Sequence, residues 1–260
     1  MTFHQYNGVR YLQFENFPKS IAHAVFTRQG GVSPAPWDSL NVGGTVGDDV
    51  ERVRTNRDRL FTAINRPLDS LFDAWLVHSA DVVYADAPRD PKAESIQADI
   101  ILTDKPNVTL YMRFADCVPV LFHDPKKGIV GISHAGWLGT VRGVSTATIK
   151  AMRKKYGCKP SDIMAAIGPS IGPDHYEIGH DVTIQVHSAF EEDAARLLHT
   201  RKGHTYLDLW MANSIQLQKA GVEQIEVAEI CTACHLEDWF SHRAEKGKTG
   251  RFGALIGLQA

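Results

Sequence analysis

The sequence is short of cysteine, of charge imbalance and of long apolar runs, and each shortage excludes something. Four cysteines in 260 residues, Cys117, Cys158, Cys231 and Cys234, are too few for a disulfide-dense secreted scaffold. Lys and Arg number 28 against 30 Asp and Glu, so a net charge of −2 offers no basic excess for nucleic acid or an anionic membrane. No apolar run approaches the roughly 18 residues that a membrane span needs. The opening MTFHQYNGVRYLQF lacks the charged start and apolar core of an export signal. The sequence therefore predicts a cytoplasmic protein with reduced thiols. With no internal repeat and no low-complexity linker, it reads as a single domain over residues 1–260, long enough to bury a sizeable core.

Several nucleotide and redox signatures are also missing. The dinucleotide pattern G-x-G-x-x-G is absent. GKT at 247–249 resembles the end of a phosphate-binding P-loop, but that loop needs glycine at position 242, where the chain has His242. Twelve histidines contain no H-x-H pair, which argues against a four-copper laccase centre. The glycines of NVGGTVGDD could cradle an anion, a weak signal.

What is present is a run of alternating elements. IAHAVFTR (21–28) reads as a strand leaving into a Gly-rich turn, and DDVERVRTNRDRLFTAI (48–64) as a helix with an acidic first turn. DAWLVHSADVVYAD (73–86) reads as strand, turn and strand. VTLYMRF, VPVLFHD and GIVGISHAG are three buried strands, the last two joined through the turn PKKG (125–128). TVRGVSTATIKAMRKKYG (140–157) and YLDLWMANSIQLQKAG (206–221) read as helices ending at Gly157 and Gly221. IMAAIGPSIG, IEVAEI and RFGALIGL supply further strands. Hairpins among alternating strands and helices predict an α/β (α+β) fold with mixed sheets flanked by helices.

Two reactive residues stand inside these strand-like runs. Cys117 precedes VPVLF and His134 closes GIVGISHAG, so a hairpin through PKKG sets both at one rim. His78, before a polar turn, has a similar setting. Two imidazoles and a thiolate suit Zn²⁺ and leave one position open. Their separations of 39 and 17 residues form no local zinc signature, and buried Cys and lone His are commonly structural. If residue 116 continues the strand, Asp116 points away from the Cys117 face. CTACH (231–235) matches the haem pattern C-x-x-C-H without an export signal, and matches half of a structural zinc site without an apparent second half. Arg28, Arg113, Arg243 and Arg251 lie near turns, where a guanidinium can meet phosphate or carboxylate.

Taken together, the segments resemble the YfiH-like proteins, also called the laccase-domain or polyphenol oxidase family, over nearly the whole chain. The resemblance rests on FTRQGGVS (26–33), DSLNVG (38–43), VRTNRDRL (53–60), VHSADV (77–82) and ADIILTDKP (98–106). It continues through ADCVPVLFHDP (115–125), GISHAGWLGTVRGV (131–144), AAIGPSIGPDHYEIG (165–179), DLWMANSIQLQKAGV (208–222), CT (231–232) and FSHRAEKGKTGRFGALI (240–256). ADC-x-PV with HAGW at this distance is its most specific part.

The resemblance implies an α/β/β/α layering and one zinc held by His78, Cys117 and His134. It implies phosphorolysis of adenosine or inosine to base and ribose 1-phosphate, with methylthioadenosine phosphorolysis and adenosine deamination associated with the same site. Arg28, Arg243 and Asn41 are the expected contacts to phosphate or ribose. Other readings are a copper-dependent polyphenol oxidase, a metal-free cysteine hydrolase built on Cys117 and His134, and a non-enzymatic binding protein. The chain departs from the family's usual residues at Leu76 (Gln), Ser79 (Gly), Phe114 (Thr, here after Arg113), Leu138 (Arg) and His242 (Tyr). These departures leave substrate preference open.

Overall fold

The computed structural model describes residues 1–259. The chain opens with the hairpin β1 (Thr2–Tyr6) and β2 (Val9–Gln13), then β3 (Ile21–Phe26) and, after a long loop, helix α1 (Val50–Ala63). Strands β4 (Leu71–Phe72) and β5 (Val82–Tyr84) lead to β6 (Ile100–Thr103), β7 (Thr109–Phe114), β8 (Val118–Asp124) and β9 (Ile129–Ala135). Helices α2 (Trp137–Val141) and α3 (Val144–Tyr156) precede β10 (Met164–Ile167) and β11 (Glu177–Ile178). Helices α4 (His180–Phe190) and α5 (Ala194–Leu197), hairpin β12 (Leu198–Arg201) and β13 (His204–Leu207), helix α6 (Leu209–Lys219), and strands β14 (Gln224–Val227) and β15 (Phe252–Leu258) follow.

Two six-stranded sheets form the centre, in the orders β1-β2-β3-β15-β7-β4 and β14-β10-β8-β9-β6-β5, with a small third sheet β11-β13-β12. Parallel pairs (β4 with β7, β5 with β6, β10 with β14) sit among antiparallel ones, so both large sheets are mixed. Val25, Leu110, Met112, Ala254 and Ile256 of the first sheet share one apolar cluster with Leu121, Val130, Ile132 and Ala166 of the second. Burying each such Val, Leu or Ile contributes about 1.5–3 kcal/mol. The other face of the first sheet packs Tyr111 and Leu255 against Leu60 and Phe61 of α1. The other face of the second packs Phe122 and Ala165 against Ile149 and Met152 of α3 and Leu217 of α6. The layers are therefore helix, sheet, sheet, helix. Strands buried on both faces explain the continuous apolar runs of VPVLF and GALIG.

Local signals explain most ends. Asp49 caps α1 by accepting from the backbone N–H groups of Glu51 (2.9 Å) and Arg52 (3.1 Å). Gly157 ends α3 in the left-handed region at φ 68° behind a basic last turn. The single helix predicted over 140–157 is instead two, beginning at Trp137 and broken where Gly143 takes φ 78°. The strand predicted at DAWLVH is irregular backbone, with one isolated bridge between Trp75 and Gln97. Among the described residues, no helix is long and apolar enough to cross a membrane.

Candidate active site

The β8–β9 register sets Pro119 opposite His134 and Val118 opposite Ala135. Cys117 lies just before β8, so thiol and imidazole share the open end of the hairpin, away from the closure between Asp124 and Ile129. Residue 116 is not strand. Asp116 takes φ 81°, and its carboxylate accepts from the Thr232 hydroxyl and the Arg243 backbone N–H, each at 2.7 Å. A left-handed turn, not strand alternation, sets its direction, and both carboxylate oxygens are taken up by residues 232 and 243.

His78 occupies a turn at φ 58°. Asp99, wholly buried just before β6, holds that turn. Its Oδ2 accepts from the backbone N–H groups of Val77 (3.1 Å) and Ser79 (2.7 Å) and from the Ser79 hydroxyl (3.0 Å). Its Oδ1 accepts from Nδ1 of His134 at 2.8 Å. One carboxylate thus fixes two of the three predicted ligands, and it leaves Nε2 of His134 as the free donor nitrogen.

One donor atom each from His78, Cys117 and His134 lies within 4.8 Å of the others. A Cβ at Gly136 would come within 2.9 Å of both Cys117 Sγ and His78 Cδ2, so the glycine of HAGW keeps the space between donors clear. The two histidine rings sit edge to face at 4.9 Å. Phe114 packs 5.5 Å from the His134 ring and stacks on Phe252. Burial alone would raise the Cys117 thiol, but the charges and hydrogen bonds of His134 and His78 outweigh it and hold the group at about 6. Burial alone would lower His134; the Cys117 thiolate and the Asp99 carboxylate together raise it to about 9. A thiolate with two imidazoles is a borderline-soft donor set, and these residues fit a single Zn²⁺.

In front of this set opens a cavity of about 490 Å³. Arg57, Arg89, Arg113 and Arg251 line it. Asp73 engages two of them, Arg89 at 2.7 Å and Arg113 at 2.9 Å. Arg57 instead donates to the Val42 carbonyl, and Arg251 to those of Thr249 and Gly250. Neither meets a carboxylate among the described residues. A Cβ at Gly43 would fall 2.7 Å from Cγ of Arg251, so the NVGG loop must be glycine there for the arginine stem to pass. Trp75, 48% exposed, and Leu76 complete one wall.

The three predicted substrate contacts lie elsewhere. Arg28 is held by Asp38 and Glu245 and covers the Phe240 ring, outside the cavity. Asn41 is fully buried and bonds Asp48, Gly43 and the Arg251 backbone. The Arg243 guanidinium donates to the Glu177 carbonyl and lies over Tyr176. Of the four arginines noted in the sequence, Arg113 and Arg251 reach the cavity. Neither Asp99 nor Arg57 stands in a motif that the sequence marks as functional. The available signal for Asp99 was a lone carboxylate opening the apolar run DIIL.

Residues 22–259 match the family described as multi-copper polyphenol oxidoreductase laccase. The chain is 38% identical over 239 residues to a purine nucleoside phosphorylase of Deinococcus radiodurans, covering 92% of this chain and 90% of that one. It is 36% identical over 244 residues to the purine nucleoside phosphorylase YfiH of Escherichia coli, covering 93% and 95%. The crystal structure of YlmD from Geobacillus stearothermophilus superposes with a TM-score of 0.92 at 35% identity, covering 99% of both chains. The layered fold and the cavity with its His–Cys–His floor thus define a laccase-like protein of mixed α/β architecture. The chain belongs to the YfiH/YlmD family of such proteins.

Proposed function

We propose that the protein is a zinc-dependent purine nucleoside phosphorylase, acting on adenosine, inosine or methylthioadenosine with phosphate as the second substrate. One observation carries the reading. Two guanidinium groups without carboxylate partners, Arg57 and Arg251, line the same cavity as the His78–Cys117–His134 donor set. Oxidation of a neutral phenol or hydrolysis of a neutral nucleoside needs no second anion, whereas a phosphorylase must bind phosphate, and a guanidinium pair suits it.

In this reaction a phosphate oxygen attacks C1′ of the ribose. The bond from C1′ to the purine nitrogen breaks, and the base leaves with the electron pair and takes up a proton. Arg57 and Arg251 hold the phosphate by charge-assisted hydrogen bonds and orient it for attack. Leu76 and Trp75 offer apolar surface to the purine, so the base is held by packing where relatives commonly place a glutamine. His78, Cys117 and His134 would hold the zinc, with Asp99 keeping a proton on Nδ1 of His134 so that Nε2 is free to bind it. When bound, zinc supplies Lewis-acid polarisation of a substrate atom. The partners are a small nucleoside and phosphate, not nucleic acid.

The test is base release from adenosine and inosine, with and without phosphate, using Cys117→Ala as control. Release that requires phosphate and vanishes in the variant is expected. Equal release by both proteins overturns the reading. Inosine accumulating from adenosine without phosphate, and lost with Cys117→Ala, identifies deamination at the same site.

A second reading rests on the chain Cys117, His134 and Asp99, which is also the order of a thiol hydrolase triad. The third donor, His78, and the cleared space at Gly136 favour the metal. Alkylation of Cys117 that zinc fails to slow would reverse that preference.

A further inference from the structure

The CTACH segment, half of a zinc site in the sequence, meets its other half in the folded chain. Ser170 and Cys231 pair as an isolated parallel bridge, which lays the loop after β10 against residues 231–234. Cys234 Sγ lies 3.4 Å from Asp174 Oδ2 and 3.5 Å from His175 Nδ1. Cys231 Sγ lies 3.7 Å from the same nitrogen. All four donor atoms lie within 4.8 Å of one another. A tetrahedron around zinc, with bonds of about 2.0–2.3 Å, has edges of roughly 3.3–3.8 Å. The three sulfur distances fall inside that range, and Asp174 Oδ2 stands 3.1 Å from His175 Nδ1, just under it.

We propose that Asp174, His175, Cys231 and Cys234 bind one Zn²⁺ as a closed, four-ligand structural site, sharing no ligand with the His78–Cys117–His134 set. Two thiolates, an imidazole and a carboxylate are a donor set that zinc takes in this number, and C-x-x-C is a common spacing for two of its sulfurs. The surroundings are prepared for it. The Gly172 backbone N–H donates to Cys231 Sγ at 3.2 Å, support of the kind given to metal-bound sulfur. A Cβ at Gly172 would meet Asp174 Oδ1 at 2.7 Å and Cys231 Cβ at 3.0 Å, so only glycine lets the two loops close. Cys231 is 6% exposed while Asp174, His175 and Cys234 are open, which gives the ion a way in. A thioredoxin-like role fits less well, because that chemistry places C-x-x-C at a helix start. Residues 231–239 form a bridge and turns, with no helix.

The site would matter to the cavity through one strut. Thr232, next to Cys231, donates to Asp116, and the Asp116 carbonyl accepts from the Ile171 N–H. The ion thus clamps both loops that hold the residue beside Cys117.

The test counts zinc in the reduced full-length chain, as wild type, Cys117→Ala, Cys234→Ser, His175→Ala and Cys117→Ala/Cys234→Ser. Cys234 and His175 are exposed, so these substitutions leave the apolar core untouched, and circular dichroism checks that the fold is kept. Cys234→Ser is expected to lose one equivalent of zinc whether or not Cys117 is present, or to bind it at least tenfold more weakly. In the Cys117→Ala background, Co²⁺ is expected to give a thiolate charge-transfer band that Cys234→Ser abolishes. The proposal is overturned if reduced Cys117→Ala takes up no Zn²⁺ or Co²⁺ in competition with a chelating indicator. It is equally overturned if Cys234→Ser and His175→Ala leave that uptake unchanged. Loss of the first zinc alone, on Cys117→Ala, bears only on the phosphorylase reading.

Discussion

The carboxylate of Asp99 accepts a 2.8 Å hydrogen bond from Nδ1 of His134, while its second oxygen holds the turn that presents His78. Asp99→Asn puts an amide N–H among donors that already need acceptors. Zinc affinity at the His78–Cys117–His134 set is expected to fall about 10–100-fold, the usual cost of losing such support. Competition against a chromophoric chelator, with the Asp174–Cys234 set removed by Cys234→Ser, measures it. An unchanged affinity would show that Asp99 is dispensable.

Gly136→Ala is expected to remove metal without unfolding the chain. The new methyl group would stand 2.9 Å from both Cys117 Sγ and His78 Cδ2, and one of them must move. Gly136 itself has an ordinary φ of −69°, so the backbone tolerates alanine. Zinc content and circular dichroism together separate loss of the site from loss of the fold.

Replacing Arg251 by alanine is expected to raise KM for phosphate by about 10–100-fold, the worth of one or two hydrogen bonds to a charged ligand. Zinc content should not change, because the Arg251 guanidinium bonds only the backbone carbonyls of Thr249 and Gly250. Gly43→Ala should act in the same direction by crowding the Arg251 stem. Steady-state kinetics with phosphate varied at saturating nucleoside tests both.

Metal uptake should release a proton, by an amount that depends on pH. At about pH 7.5 the solution lies above the Cys117 value of about 6 and below the His134 value of about 9. The metal-free pair is then thiolate and imidazolium, and coordination through Nε2 expels one proton from His134. Raising the pH through about 9 removes that proton in advance, so the pair's release falls toward zero. Lowering it through about 6 also protonates Cys117, so the pair's release rises toward two and binding weakens. Calorimetry in buffers of different ionisation enthalpy reads the number directly.

Much of this was legible in the sequence where periodicity and turns agree. Helix α1, the β8–β9 hairpin and the capping of α3 by Gly157 follow from apolar spacing and Gly positions. Cys117 and His134 stood out because they interrupt buried strands. What stayed hidden depends on partners remote along the chain. Arg28 looked free at a strand end, but Glu245, 217 residues later, takes its guanidinium. The Asp174–His175 pair lies 56 residues before Cys231, in a different loop, so C-x-x-C looked like half of a site. All five residues of β1 are exposed, which erases the alternation that marks a strand. The departure at Leu76 now has a location, on the cavity wall.

The chain carries five tryptophans, and Trp75 alone of them lines the cavity, while Trp239 is sealed in the interior. A purine settling against Trp75 would change the surroundings of a half-exposed indole and leave the other four, outside the cavity, as background. The cavity therefore has a built-in optical gauge of occupancy, readable by emission without any label and independent of any assay of turnover.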